Sequence, residues 1–156
     1  MDRNTKIIIA LLYEKLMLFQ KLRAYYMAKQ KTHFERRIEI WAEAIKLSEG
    51  FFLGSKSWRS FNPGNLKNAG QPGVIGADAT GIAKFETYEA GWTALLRQLE
   101  ISVTGKSKAY TPDMTLKDFT KKYTDLKDGK EIDNYLANIT KRLKVSSAIK
   151  IKEIVA

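Results

Sequence analysis

Two neighbouring stretches, 48-SEGFF-52 and 61-FNPGNLK-67, decide how this chain is read. The first places a carboxylate, Glu49, at the end of an apolar stripe. At 100° per residue Ile38, Trp41, Ala42 and Ile45 share one helical face, and Glu49 falls on it four residues after Ile45. Gly50 then stops the helix in the C-terminal position where glycine is favoured. The second stretch, Asn62-Pro63-Gly64-Asn65, is a strong turn former.

Working outward, the periodicity predicts a helix over 35–49. The segment 50–86 is rich in glycine and holds two of the three prolines, which predicts turns and a β-hairpin with strands near 73–76 and 81–85. Helices then resume. Trp92, Leu95, Leu96, Leu99 and Val103 form one stripe over 88–104. Thr115 with Asp118 reads as a capping box opening a helix to about Tyr123. Asp128 with Glu131 opens another, with Ile132, Tyr135, Leu136, Ile139 and Leu143 inward. A last short helix is expected near Ser147. Before all of this, residues 5–30 read as a helix with Ile8, Leu12, Leu16, Phe19, Leu22, Tyr25 and Tyr26 spread over a wide apolar surface. The expected architecture is mainly helical α+β: an N-terminal amphipathic helix and connector (1–34, with His33 on the surface), then a domain (35–156) whose small insert faces its first helix across a cleft.

Composition narrows the function classes. The 156 residues carry a formal charge of +10, no cysteine and one histidine. Disulfides, thiolate metal sites and a multi-histidine zinc site are excluded, and a histidine-based triad is disfavoured. The excess charge sits at the two ends. Residues 1–40 hold nine Lys/Arg against four Asp/Glu, 41–104 six of each, and 105–156 twelve against seven. A basic surface attracts an anionic wall polymer or membrane surface, but no Arg-rich run or nucleic-acid motif is present, so no specific nucleic acid is expected. The run 7-IIIALLY-13 is far shorter than a bilayer span and lacks the flanks of an export signal. The N-terminal helix leaves packing on the domain, self-association and membrane contact open.

Glu49 is the candidate for proton chemistry. The negative end of a helix dipole disfavours its ionised form, and aromatic neighbours (Phe51, Phe52, Trp58) would cost it solvation. A carboxylic acid held protonated near neutral pH is what departure of a sugar oxygen requires.

The order of segments from Ile45 to Leu99 resembles the lysozyme-like peptidoglycan-cleaving domains of phages and bacteria. In that group a helix-ending Glu-Gly precedes a Ser-x-Arg-Asn-Asn-Asn-Pro-Gly-Asn-Leu turn. A Gly-Phe-Ala-x-Phe strand and a Tyr-x-x-Gly-Trp-x-Ala-Leu helix follow. The corresponding residues are Glu49-Gly50, Ser57 to Leu66, Gly81 to Phe85 and Tyr88 to Leu95. The tail from Thr115 to Tyr123 and from Tyr135 to Leu143 is similar to the closing helices, so the likeness covers about 40–156. It implies a glycosidase, muramidase or lytic transglycosylase, acting on the bond between N-acetylmuramic acid and N-acetylglucosamine in peptidoglycan glycan strands. Glu49 would be the acid and no metal or organic cofactor is implied. A non-catalytic glycan-binding or virion structural protein on the same scaffold is the alternative.

The resemblance also nominates contacts. Asn62 and Asn65 offer side-chain amides to acetamido groups or hydroxyls. Trp58 and Phe85 offer flat faces to pyranose rings, with core packing the alternative for each. Tyr88 is a candidate to line the cleft, Trp92 is expected in the core, and Arg59 is expected to orient a turn. Two amides of the family's Asn run are replaced by Ser60 and Phe61. A second carboxylate, if one is needed, would come from Asp78, Glu86 or Glu89. A lytic transglycosylase would need none, because one Glu serves as acid and then base.

Overall fold

The computed structural model describes Thr5 and residues 12–23, 31–124 and 126–156. The chain divides into two compact units, Met1–Thr32 and His33–Ala156. In the first, residues 12–23 are helical, and Leu12, Leu16, Phe19 and Leu22 are exposed. The expected helical positions Ile8, Tyr25 and Tyr26 lie outside the described residues. No helix among the described residues is long and apolar enough to cross a membrane.

The second unit is mainly helical with a two-stranded antiparallel sheet, so its class is α+β. Helix α1 (His33–Ser48) leads into a short helix α2 (Lys56–Arg59). Strands β1 (Val74–Ala77) and β2 (Ala83–Phe85) follow, then α3 (Tyr88–Val103), α4 (Leu116–Thr124) and α5 (Gly129–Leu143). The last short helix, expected near Ser147, is a 3₁₀ helix that starts four residues later, Ile151–Val155. Its cause is tertiary: Thr115 bridges Lys150, and Ile151 N–H donates to the Met114 carbonyl, so this segment runs extended beside the start of α4 before it can coil. The sequence pattern also missed α2. Ser55 caps it by accepting from the Trp58 N–H, a local signal hidden among glycines.

The core forms where α1 crosses α5, α3 and the 3₁₀ turn, while α4 packs on α5. Trp41 and Ile45 of α1 are fully buried, and Trp41 meets Phe119 with ring centroids 4.9 Å apart. All five inward positions expected on α5 are buried. Asp128 caps that helix by accepting from the Lys130 and Glu131 N–H groups, and Thr115 with Asp118 caps α4. Arg37 ties the two ends of this unit together. It donates to the Leu143 carbonyl at the end of α5 and to Ile154 at 2.7 Å. His33 begins α1 rather than lying in a connector, and its Nε2 is 3.1 Å from the Ala156 carbonyl oxygen.

The insert is stitched to its preceding turn by one side chain. Asn62 is fully buried; its Nδ2 donates to the Leu66 and Ala83 carbonyls, both at 2.9 Å, and its Oδ1 accepts from Leu66 N–H at 2.8 Å. Strands β1 and β2 pair Val74 with Phe85 and Ala77 with Ala83, with a bulge between Val74 and Gly76. Asn62 therefore holds the turn and the sheet as one piece. Replacing it with Ala strands the Leu66 N–H and the Ala83 carbonyl, each worth about 1–3 kcal/mol when unsatisfied, while the Leu66 carbonyl keeps its bond from the Ala83 N–H at 2.8 Å. Urea denaturation of Asn62→Ala should show a loss of about 2 kcal/mol or more.

Candidate active site

A groove of about 560 Å³ opens between the insert and the helical wall. The insert side supplies Asn65, Leu66, Lys67, Ala69, Gln71 and Ile82. Gln98 and Ile101 of α3, the 107–110 segment and the last residues of α4 form the other side, with Glu49 between them. Glu49 reaches this position because its N–H still bonds the Ile45 carbonyl at 2.8 Å, which carries the helical stripe one residue past Ser48. Gly50, at φ +65°, then turns the chain away.

Glu49 is half-buried, and burial pushes its carboxyl above the ordinary glutamate range. Hydrogen bonds from Tyr135 and then Asn65 act in the opposite direction, because they favour the charged form. The Tyr135 hydroxyl donates to Glu49 Oε1 at 2.8 Å. Tyr135 and Tyr123 hydroxyls are pushed well above the usual tyrosine range, first by burial and then by the nearby Glu49 charge, so both stay protonated donors. Tyr123 donates to the Gly64 carbonyl at 2.6 Å and so props the turn that presents Asn65. Asn65 itself sits at φ +50°, a left-handed position that asparagine tolerates.

The expected site residues separate into two groups. Glu49 and Asn65 come together in the groove. Asn62 does not face it: every polar atom of its side chain is spent on the turn and sheet. Phe85 is a core residue, 1% exposed, and has no face free for a sugar ring. Trp58 is partly exposed on α2 but lies outside the groove lining. Tyr88 packs elsewhere, 5.5 Å from Phe51 and stacked 6.2 Å from half-buried Trp92, with Lys46 Nζ above both rings. Asp78 pairs with Lys56 at 2.6 Å and accepts from Thr80 and Ile82 N–H groups, so it organises the hairpin turn. That Lys56 contact, with Thr80, holds its carboxyl well below the usual carboxylate range. Glu86 and Glu89 lie outside the lining as well. Arg59 donates to the Gly54 carbonyl and does orient a turn.

Three tyrosines were missed by sequence reasoning. Tyr135 reads as one more apolar position of the α5 stripe, and Tyr110 and Tyr123 carry no motif. The expected desolvating rings, Phe52 and Trp58, are exposed, and Phe51 packs on Tyr88; Tyr110 and Tyr123 line the groove instead. The replaced amides Ser60 and Phe61 do not line it either. Ser60 accepts from the Phe85 N–H, and the Phe61 carbonyl abuts α3. Electrostatically the rim is basic. Lys67, Lys108 and Lys122 line the groove, whereas Glu49 is the only acidic side chain doing so among the described residues. No group of three or more His, Asp or Glu among those residues could hold a metal ion.

The fold and groove define a mainly helical α+β domain in which Glu49 faces a cleft. No family model, curated protein or solved structure matches this chain.

Proposed function

We propose that this chain is a lysozyme-like peptidoglycan-cleaving glycosidase that works with a single carboxyl group, in the manner of a lytic transglycosylase. The observation that carries the reading is Glu49: a carboxyl biased toward its protonated form, the only one lining a groove of about 560 Å³ among the described residues, held by Tyr135 and Asn65.

The chemistry follows from that geometry. Protonated Glu49 gives its proton to the oxygen linking N-acetylmuramic acid to N-acetylglucosamine, and the carbon–oxygen bond breaks with the electron pair leaving on that oxygen. Glu49, now a carboxylate, accepts the proton of a hydroxyl on the same muramic sugar. That oxygen closes onto the anomeric carbon and leaves an anhydro end. Tyr135 steadies the carboxylate during the interval between the two proton transfers, because its hydrogen bond favours the charged form. Hydrolysis would instead require a group placed to activate water, and no second carboxylate lines the groove among the described residues.

Mass spectrometry of fragments released from purified wall tests the proposal. Anhydro-ended fragments, lighter by one water than their reducing counterparts, are expected. Reducing ends would overturn the single-carboxyl route, and no fragments would overturn cleavage. A second measurement probes Tyr135. Tyr135→Phe removes a bond that favours the ionised form, so Glu49 holds its proton to higher pH. The alkaline limb of the pH–rate profile should move upward while burial of the ring is retained.

A further inference from the structure

The groove continues past Glu49. A second cavity, about 660 Å³, runs along α3 beside Ala90, Thr93, Ala94 and Arg97, with Pro72 and Gly73 opposite and Glu86 and Glu89 also in its lining. Ala69, Gln71, Gln98 and Ile101 border both cavities, so the two adjoin. From Ile101 back to Glu89 is about 18 Å along the helix axis at 1.5 Å per residue. The far end is firmly built. Glu86 N–H donates to the Gly73 carbonyl at 2.9 Å, and Gly73 lies so close to α3 that a Cβ on it would stand 2.6 Å from that of Ala90.

The two chambers differ in character. Tyr110 and Tyr123 line the first, but among the described residues no aromatic ring lines the second, where Ala69, Gly73, Ala90, Thr93 and Ala94 are small. Charge also changes along the groove. Lys67, Lys108 and Lys122 line the Glu49 chamber, while Glu86 and Glu89 lie in the second, with Arg97 alongside, 3.7 Å from Glu100. We infer that the second chamber binds the peptide branch that wall glycan carries on its muramic sugar. Such a branch is made of small residues, bears a carboxylate near its attachment, and ends its side chain further out in a free ammonium. That order of charge, anionic then cationic, complements a groove that is basic near Glu49 and acidic along α3. The inference rests on the glycosidase reading for the identity of the polymer.

Binding of the Glu49→Gln protein separates the two readings, because it needs no turnover. Three preparations serve as probes: intact wall, wall stripped of its peptides by an amidase, and wall with its free amines acetylated. Intact wall should bind about tenfold more tightly than either other form, the scale of one polar contact of ordinary net strength lost. Thr93→Trp, added at an exposed position in the chamber, should lower intact-wall binding to the stripped level and leave stripped-wall binding unchanged. Glu86→Gln with Glu89→Gln should remove the advantage over acetylated wall. Equal binding to intact and stripped wall, no binding to either, or a preference that survives Thr93→Trp would overturn the peptide site. If the wild type releases fragments equally from both forms, the glycosidase reading stands and the peptide site falls. If the binding preference appears without any fragments, the peptide site stands and the glycosidase reading falls.

Discussion

Glu49→Gln is expected to reduce release of wall fragments by about 10³-fold, the scale of a lost general acid and base. Glutamine keeps the side-chain length and can still accept from Tyr135 through its amide oxygen, so the groove and its binding survive while the transferable proton does not. The same substitution should raise stability. Burial lifts the folded-state pKa of Glu49 above its unfolded value, so the folded protein holds the proton more tightly. Below the ordinary glutamate range both states are protonated and the group contributes nothing. As pH rises through the window up to the raised value, the unfolded state ionises first, and stability falls. Above that window the full cost of a buried carboxylate remains. Chemical denaturation should therefore find Glu49→Gln more stable than wild type at neutral and higher pH, with the difference vanishing in acid. Equal fragment release by both proteins removes Glu49 from the chemistry. A variant that is less stable at high pH removes desolvation as the dominant influence on it.

Gly91→Ala is expected to cost more than about 3 kcal/mol and to dismantle the groove without touching it. Gly91 sits in the first turns of α3, where alanine would ordinarily stabilise by about 1 kcal/mol through helix propensity. Here a Cβ would stand 1.8 Å from the Phe61 carbonyl oxygen and 3.1 Å from Pro63 Cδ. The nearer atom is backbone and cannot rotate away, so α3 or the turn must move, and the steric term outweighs the propensity term. The 61–65 turn carries Asn62, which stitches the insert, and Asn65, which meets Glu49. A shift there should lower both the denaturation midpoint and wall binding. By contrast, Gly54→Ala meets nothing within 4 Å, so its effect should be confined to the strain of φ +83°. A Gly91→Ala protein as stable as wild type would mean that α3 and the turn do not approach as closely as described.

Much of the secondary structure was legible because its causes are local. Helix α5 follows from one apolar stripe and an Asp128 cap, and α3 from another stripe; the hairpin lies where glycines and short apolar runs alternate. Glu49 could be placed on the inward face by angle alone, since it follows Ile45 by four residues. Asn62 and Asn65 looked equivalent in sequence, two amides around Pro-Gly. The structure gives them opposite roles, since one is sealed between Leu66 and Ala83 and the other reaches the groove. Phe85 read equally as a sugar platform or a core residue and is core, because alternation on β2 turns it inward beside Ala83. Tyr88 opens α3 as expected but faces Phe51 and Lys46.

By itself the sequence determined the order of the four longer helices of the domain and of the hairpin, the caps that open α4 and α5, the left-handed stop at Gly50 and the inward direction of Glu49. These depend on φ and ψ preferences and on spacing of a few residues, which a linear pattern carries. Only the tertiary structure decided what surrounds the carboxyl: Tyr135, 86 positions away in the chain, donating to it, and Tyr123 propping the Asn65 turn. Desolvation and hydrogen bonding act through distances of a few ångströms in space, and the crossing of α1 and α5 sets those distances.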